Sequence, residues 1–419
     1  MFGIKIDSHK EQTRFENIEG MPLPEEVILY TSQHIGAPSE VIVRKGQEVE
    51  RGEEVARAAG HCSAALHTPV SGKVTDISPV DRPGGRSAEA VTVKNSGKNE
   101  IRVMPPLDSI TPQAIRERVK EAGIVGLGGA GFPTHVKLDP PKNIHTAIMN
   151  GCECEPYLTA DERVMEEEAA KVIEGLMLIR TAVGAEKAVI GIEDDKPGAA
   201  REMRRLGAGK RGLELAILPK VYPQGYEKLL ITAVTGREVP SGGLPHDAGV
   251  SVHNASTCLA VYEAVREGKP LIERVLTVSG EKIERGVNVR VSVGTPVSEV
   301  LKHCRINPAG RYALLMGGPM MGCPLDNPSA GVLKATSGIL LFEEPRVETY
   351  PCLRCGRCVE RCPMGLMPQE LNKYFEGEDY ARMTDAGLSD CMECGCCAYL
   401  CPSGIPLTGN FKAAKGAVS

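Results

Sequence analysis

Two cysteine runs toward the end of the chain restrict its fold more than any other feature. They read Cys352-Leu-Arg-Cys355-Gly-Arg-Cys358-Val-Glu-Arg-Cys362-Pro363 and Cys391-Met-Glu-Cys394-Gly-Cys396-Cys397-Ala-Tyr-Leu-Cys401-Pro402. Both follow the bacterial ferredoxin pattern, in which three close cysteines hold one [4Fe–4S] cluster and the fourth holds the other. Close spacing lets one loop wrap three corners of a cubane, while the distant fourth ligand ties two half-folds together. The rule gives one cluster Cys352, Cys355, Cys358 and Cys401, and the other Cys391, Cys394, Cys397 and Cys362. Cys396 is left over. A pair of structural zinc sites is the rival reading, and a repeated four-cysteine run ending in Cys-Pro speaks against it. Such a segment moves electrons singly.

Fifteen cysteines would mean disulfides in a short secreted chain. This chain has 419 residues, and its start, MFGIKIDSHKEQTRF, lacks the apolar core of an export signal. The expected compartment is the reducing cytoplasm. Net charge is −5, aromatics are 4% and Trp is absent, so neither a basic face nor stacking platforms recommend nucleic acid. No apolar run nears the roughly 20 residues that cross a bilayer. Attachment to a membrane would come through a partner, with the chain on its cytoplasmic face.

The chain reads as a multidomain α/β and α+β protein. Residues 1–105 alternate apolar and polar positions between glycine turns, as in Val41-Ile-Val-Arg-Lys-Gly46 and His67-Thr-Pro69-Val-Ser-Gly72. They resemble the barrel-sandwich domains that carry lipoate or biotin. The carrier lysine is missing, since the tip reads Ala-Ala-Gly-His61-Cys62-Ser, so the unit is expected to dock rather than carry. Residues 106–268 alternate helices with strands, the pattern of a Rossmann-like α/β domain. Strands are expected at 145–149, 187–192 and 214–218, with one helix over 160–183 whose acidic first turn, Asp161 and Glu162, suits its dipole. Residues 269–342 read as a β-grasp-like unit, followed by a linker from Glu343 to Tyr350 and the ferredoxin segment, 343–404. Residues 405–419 are expected to be a frayed tail.

A glycine loop follows the first helix of the α/β unit: Val125-Gly126-Leu127-Gly128-Gly129-Ala130-Gly131-Phe132-Pro133-Thr134-His135-Val136-Lys137. Small residues let backbone N–H groups approach a phosphate, and Lys137 adds charge. A glycine-rich turn by itself equally permits mere tight packing. Its companions sharpen the reading: Asn150-Gly-Cys152-Glu153-Cys154-Glu155-Pro and Tyr222-Pro-Gln-Gly225-Tyr226-Glu227 both follow expected strands, where open α/β sheets bind ligands. Cys152 and Cys154 stand alone and read as packing residues.

These three loops resemble the flavin- and NADH-binding subunit of respiratory complex I. Over nearly the whole chain the sequence is similar to the C subunits of the Rnf electron transport complexes. The shared marks are Ser32-Gln-His-Ile-Gly-Ala-Pro38, Asn150-Gly-Cys-Glu-Cys-Glu-Pro-Tyr-Leu-Thr-Ala-Asp161, Thr235-Gly-Arg-Glu-Val-Pro-Ser-Gly-Gly-Leu-Pro245 and Met316-Gly-Gly-Pro-Met-Met-Gly322. The resemblance implies FMN, NAD(H) as substrate and two [4Fe–4S] clusters. It implies that Gly126, Gly128, Gly129, Gly131 and Lys137 hold phosphate, with Asn254 and Thr257 on the same side. It places Asn150, Glu153 and Glu155 along the flavin and nicotinamide, and Tyr222, Gly225 and Glu227 around the rest of the pocket, the three glutamates being the catalytic candidates. Two positions depart from the complex I pattern: Cys152 stands for Asp and Tyr226 for a Glu.

The partners implied are other redox subunits: the membrane and ferredoxin-like subunits of an Rnf complex, or a soluble oxidoreductase. Three readings stay open at this stage. They are an Rnf subunit, a soluble relative serving a methylenetetrahydrofolate reductase or a cobalamin reductase, and an electron relay without a working nucleotide site.

Overall fold

The computed structural model describes residues 3–307, 310–345 and 348–418. Arg346 and Val347 of the expected linker lie outside the described residues.

Four strands form the parallel sheet that positions the glycine loop, in the order Leu213–Leu218, Lys187–Glu193, Thr146–Asn150, Val250–Asn254. Its central strands are almost wholly apolar because helices cover both faces. A six-stranded sheet joins Val287–Ser292, Glu273–Ser279, Gly338–Glu343 and Tyr312–Met316, flanked by short Cys323–Pro324 and, at the other edge, Ile18–Gly20. That edge strand pairs in parallel with Val287–Ser292, so Ile18–Gly20 belongs to this sheet rather than to the barrel. The barrel itself comprises the sheet Glu26–Tyr30, Arg86–Asn95, Gly72–Arg82, Glu48–Val49 and the sheet Glu40–Val41, Glu54–Arg57, Leu66–His67. Val27, Leu29, Val55, Leu66, Val74 and Val91 fill its interior.

The single helix expected over 160–183 is two helices. Ala160–Glu167 and Ala169–Ala182 meet at Glu168, whose φ of −115° and ψ of 21° leave the helical region. Glu168 reaches Arg290 at 3.1 Å. The first piece packs on the six-stranded sheet and the second against the parallel sheet and the Ala255–Tyr262 helix. One straight rod would not meet both surfaces. The expected frayed tail is also helical: Leu407–Val418 buries Leu407, Phe411 and Ala414 against Leu371, Met383 and Leu388.

Lys334 locks three units together. Fully buried, it donates to Ala65 O at 2.6 Å in the barrel and to Gly123 O at 2.8 Å in the α/β unit. Burial holds its ammonium down at about 7 against an ordinary 10.5. A neutral amine supplies the two donors these bonds need. Between pH 7 and 10.5 the unfolded chain binds a proton that the folded chain lacks, so stability rises with pH across that window and is flat below it. In urea titrations at pH 7 and pH 9, Lys334→Met is expected to abolish a slope of about 1.4 kcal/mol per pH unit at most. A slope unchanged by the substitution would refute this account.

Candidate functional site: a cysteine-lined cavity beside a glycine loop

Cys362, Cys391, Cys394 and Cys397 line one cavity, together with Cys396, Leu371, Thr408 and Phe411. Cys362 comes from the first run and the rest from the second, so the chain brings together the crossed set that the spacing requires. The C-terminal helix closes the cavity with Thr408 and Phe411, and its Lys415 sits 3.0 Å from Glu393. Among the described residues no three His, Cys, Asp or Glu side chains gather tightly enough for a single metal ion. Thiols standing back on the walls of a cavity suit a cubane better than one tetrahedral zinc.

The other set is nearer the surface. Tyr350 N donates to Ser403 O at 2.9 Å and Ser403 Oγ to Pro351 O at 3.0 Å, which carries Cys352 toward Cys401. Cys352 and Cys355 are exposed, and Cys358 and Cys401 half-buried.

Asn150 and Asn254 end adjacent parallel strands and are paired in register, so both stand at the C-terminal edge of the sheet. The glycine loop crosses that edge. Leu127 N donates to Thr257 Oγ1 at 2.9 Å, and Asn254 Oδ1 caps the Ala255–Tyr262 helix by accepting from Thr257 N at 3.3 Å. Thr257 keeps its hydroxyl proton free to donate. Gly128 faces the Asn254 side chain at 3.3 Å from where a Cβ would stand, whereas Gly129, at φ +101°, opens onto free space. Lys137 and Glu227 form an ion pair across the loop, and Asn150 Nδ2 donates to Gly225 O at 2.7 Å. A Cβ on Gly225 would stand 3.1 Å from Cys152 and 3.2 Å from Cys154 Sγ, so only glycine lets the two loops touch this closely. The barrel's expected docking tip meets the same loop, with Ile35 N donating to Gly131 O at 3.2 Å and His135 Nε2 3.1 Å from His61 O.

Three expected residues make contacts that the sequence did not suggest. Both oxygens of Glu153 accept backbone N–H groups, from Asp161 at 2.7 Å and Glu162 at 2.9 Å, so its carboxylate caps the first turn of the Ala160–Glu167 helix. Tyr222 turns away from the glycine loop, and its hydroxyl donates to Cys394 O at 2.6 Å. Glu155 Oε2 accepts from Met320 N at 3.0 Å, while Oε1 is shut from solvent with no partner. Burial pushes this carboxyl up to about 7, against the pull of the Met320 and Met321 amides. An orphaned carboxylate oxygen costs about 1–3 kcal/mol, and its proton exchanges near neutral pH.

Asp161, expected only to suit the helix dipole, has a second task. It accepts from Asn254 Nδ2 at 2.6 Å and Ser256 Oγ at 2.5 Å, fixing the second strand end. Lys10, which donates to Glu153 O at 2.5 Å, carries no sequence signal at all, being 143 residues away. Tyr222, Cys394, Cys396 and Ile4 form one apolar cluster with Cys154, Tyr226 and Met320, so the cysteine cavity shares a wall with the Asn150–Pro156 and Tyr222–Glu227 loops.

Together these features define an iron–sulfur and nucleotide-binding redox protein. Comparisons with known proteins agree. Family models described as "RnfC Barrel sandwich hybrid domain", "Nuo51 FMN-binding domain" and "4Fe-4S dicluster domain" match residues 1–98, 119–263 and 351–405. The C subunit of the ion-translocating oxidoreductase complex of Rhodobacter capsulatus is 43% identical, over 100% of this chain and 82% of its own length. The C subunit of the proton-translocating ferredoxin:NAD(+) oxidoreductase complex of Clostridium ljungdahlii is 41% identical, over 88% of this chain and 83% of its own. The chain belongs to this family of C subunits of ion-translocating oxidoreductase complexes. It is an oxidoreductase subunit with an FMN-binding domain and a two-cluster iron–sulfur domain. In fold it also resembles a chain of a NAD+-reducing [NiFe]-hydrogenase, at TM-score 0.52 and 20% identity, covering 75% of this chain and 63% of that one.

The residues present fit both groups. The cavity offers five thiols, Cys396 among them, and an orphaned Thr408 hydroxyl. The glycine loop offers open backbone at Gly129, the Thr257 hydroxyl and the Lys137 ammonium to a phosphate.

Proposed function

We propose that this chain oxidises NADH, reversibly, at the glycine-loop site and passes the electrons through its two clusters to partner redox subunits of an ion-translocating complex. The observation that carries this is the shared wall: Gly225 O is bonded to Asn150 on one side, and Tyr222, three residues earlier, to the Cys394 carbonyl on the other. FMN, when bound, exchanges electron pairs with nicotinamide and single electrons with a cluster. The protein supplies position and proton control. Gly126, Gly128, Gly129 and Gly131 give the phosphate backbone access, and Lys137 and Thr257 add charge and a donor. Asn150 and Gly225 hold the two loops at a fixed separation. Glu155 Oε1, protonatable near neutral pH, is the atom that takes up and returns the proton that accompanies hydride chemistry. Glu227, paired with Lys137, tunes the charge that faces the phosphate.

Separate sheets and cores support the division 1–105, 106–268, 269–342 and 343–404 into barrel, nucleotide, β-grasp-like and ferredoxin units, except that Ile18–Gly20 joins the sheet of the β-grasp-like unit. No helix of the described residues is long and apolar enough to cross a membrane, so attachment at the cytoplasmic face of a membrane would run through partner subunits.

Glu155→Gln keeps the Met320 contact but removes the titrating proton. It is expected to lower NADH-dependent viologen reduction by about 100-fold or more, the range for a lost acid–base group, with FMN content unchanged. A rate equal to that of the parent would sink the assignment.

A further inference from the structure

The second-cluster cavity holds two polar groups that its ligand set does not use. Thr408 Oγ1 is buried and makes no full hydrogen bond within the protein, yet it sits in the cavity wall beside Cys397. Cys396, 1% exposed, lines the same cavity between the ligands Cys394 and Cys397. The spacing leaves Cys396 outside the ligand pattern, and Thr408 belongs to the helix expected from sequence to be a loose tail. Tertiary structure therefore brings the Thr408 hydroxyl into the cavity of the ligand sulfurs, and the run itself places the Cys396 thiol there. The exposed set offers a contrast: the Cys352 sulfur accepts only a local backbone bond, from Arg354 N at 3.4 Å.

Resting on the reading that Cys362, Cys391, Cys394 and Cys397 hold a cluster, we propose that Thr408 and Cys396 are positioning residues whose hydroxyl and thiol hydrogens set the reduction potential of that cluster. A donor aimed at a ligand sulfur withdraws electron density and stabilises the extra negative charge of the reduced state, so it raises the potential. Removing the donor lowers the potential without removing a ligand. The chemistry is non-covalent, and the thiol and hydroxyl keep their protons throughout.

The test is an EPR-monitored redox titration of the full chain, purified anaerobically, with iron content measured alongside. Thr408→Val is nearly isosteric, and Cys396→Ala fits the space left. Each is expected to move the midpoint potential of the second cluster downward, leave the first cluster's potential unchanged and retain all iron. Thr408→Ser and Cys396→Ser keep an O–H donor and are expected to restore the parent value. Parent-like potentials in both Val and Ala variants would overturn the proposal. So would loss of iron from Cys396→Ala, which would make Cys396 a ligand. Iron missing from the second site of the unaltered chain would instead remove the cluster assignment on which the proposal rests, and NADH oxidation would then be judged separately, by Glu155→Gln.

Discussion

Cys362→Ala is expected to strip half of the iron from the protein, and the half that is lost is the cluster of the second run. Cys362 follows Cys358 by four residues, so a reading of neighbours alone would assign it to the first cluster. The structure sets it, 8% exposed, into the cavity of Cys391, Cys394 and Cys397. An Ala there removes one of four anchors and leaves a cubane corner open in a buried pocket. Double variants separate the two assignments because losses at one cluster do not add. Cys362→Ala combined with Cys391→Ala is expected to lose no more iron than either alone, whereas Cys362→Ala with Cys352→Ala loses nearly all. Iron and sulfide analysis with EPR reads this directly. If the pair Cys362→Ala and Cys391→Ala emptied both sites, the crossed ligation would be wrong.

The second large effect is expected from a residue that no motif marks. A Cβ added at Gly175 would stand 1.8 Å from Cys258 O and 2.6 Å from its carbonyl carbon. Those are backbone atoms, so no side chain can swing aside. The helices Ala169–Ala182 and Ala255–Tyr262 must separate, and the second of them starts at Asn254, against the glycine loop. Overpacking of this kind costs about 3 kcal/mol, a fall of about 10 °C in Tm for a unit of this size. Because Asn254 and Thr257 shift with the helix, FMN content is expected to fall too. A thermal melt and a flavin assay check both; a Tm matching the parent would show that the helices part freely.

Much of the site was legible because its chemistry is local. Three cysteines at a spacing of three residues wrap a cubane wherever the loop lies. A glycine loop after a capped helix makes phosphate access a property of a dozen consecutive residues. The alternating elements of 106–268 likewise announced a parallel sheet, whose strands the structure places within a residue of the expected positions. The carboxylates were not legible in this way. Glu153 and Glu155 are two residues apart in one motif, yet one caps a helix and the other meets Met320, 165 residues on. The break at Glu168 was hidden because 160–183 is continuous in helical pattern, and only the two surfaces it must cover divide it. The C-terminal helix looked like a tail because twelve residues with few apolar positions gain little alone; burial of Phe411 against the ferredoxin core stabilises it.

The sequence by itself therefore determined that a two-cluster ferredoxin segment follows an FMN-binding α/β unit, since cysteine spacing and a glycine loop among alternating elements are local features. Tertiary structure alone decided that Glu155 rather than Glu153 is left with an unpartnered oxygen, that Tyr222 faces the cysteine cavity, and that Thr408 closes it. Those outcomes depend on contacts between segments distant in sequence, where a side chain's direction is set by what packs against it and not by its neighbours in the chain.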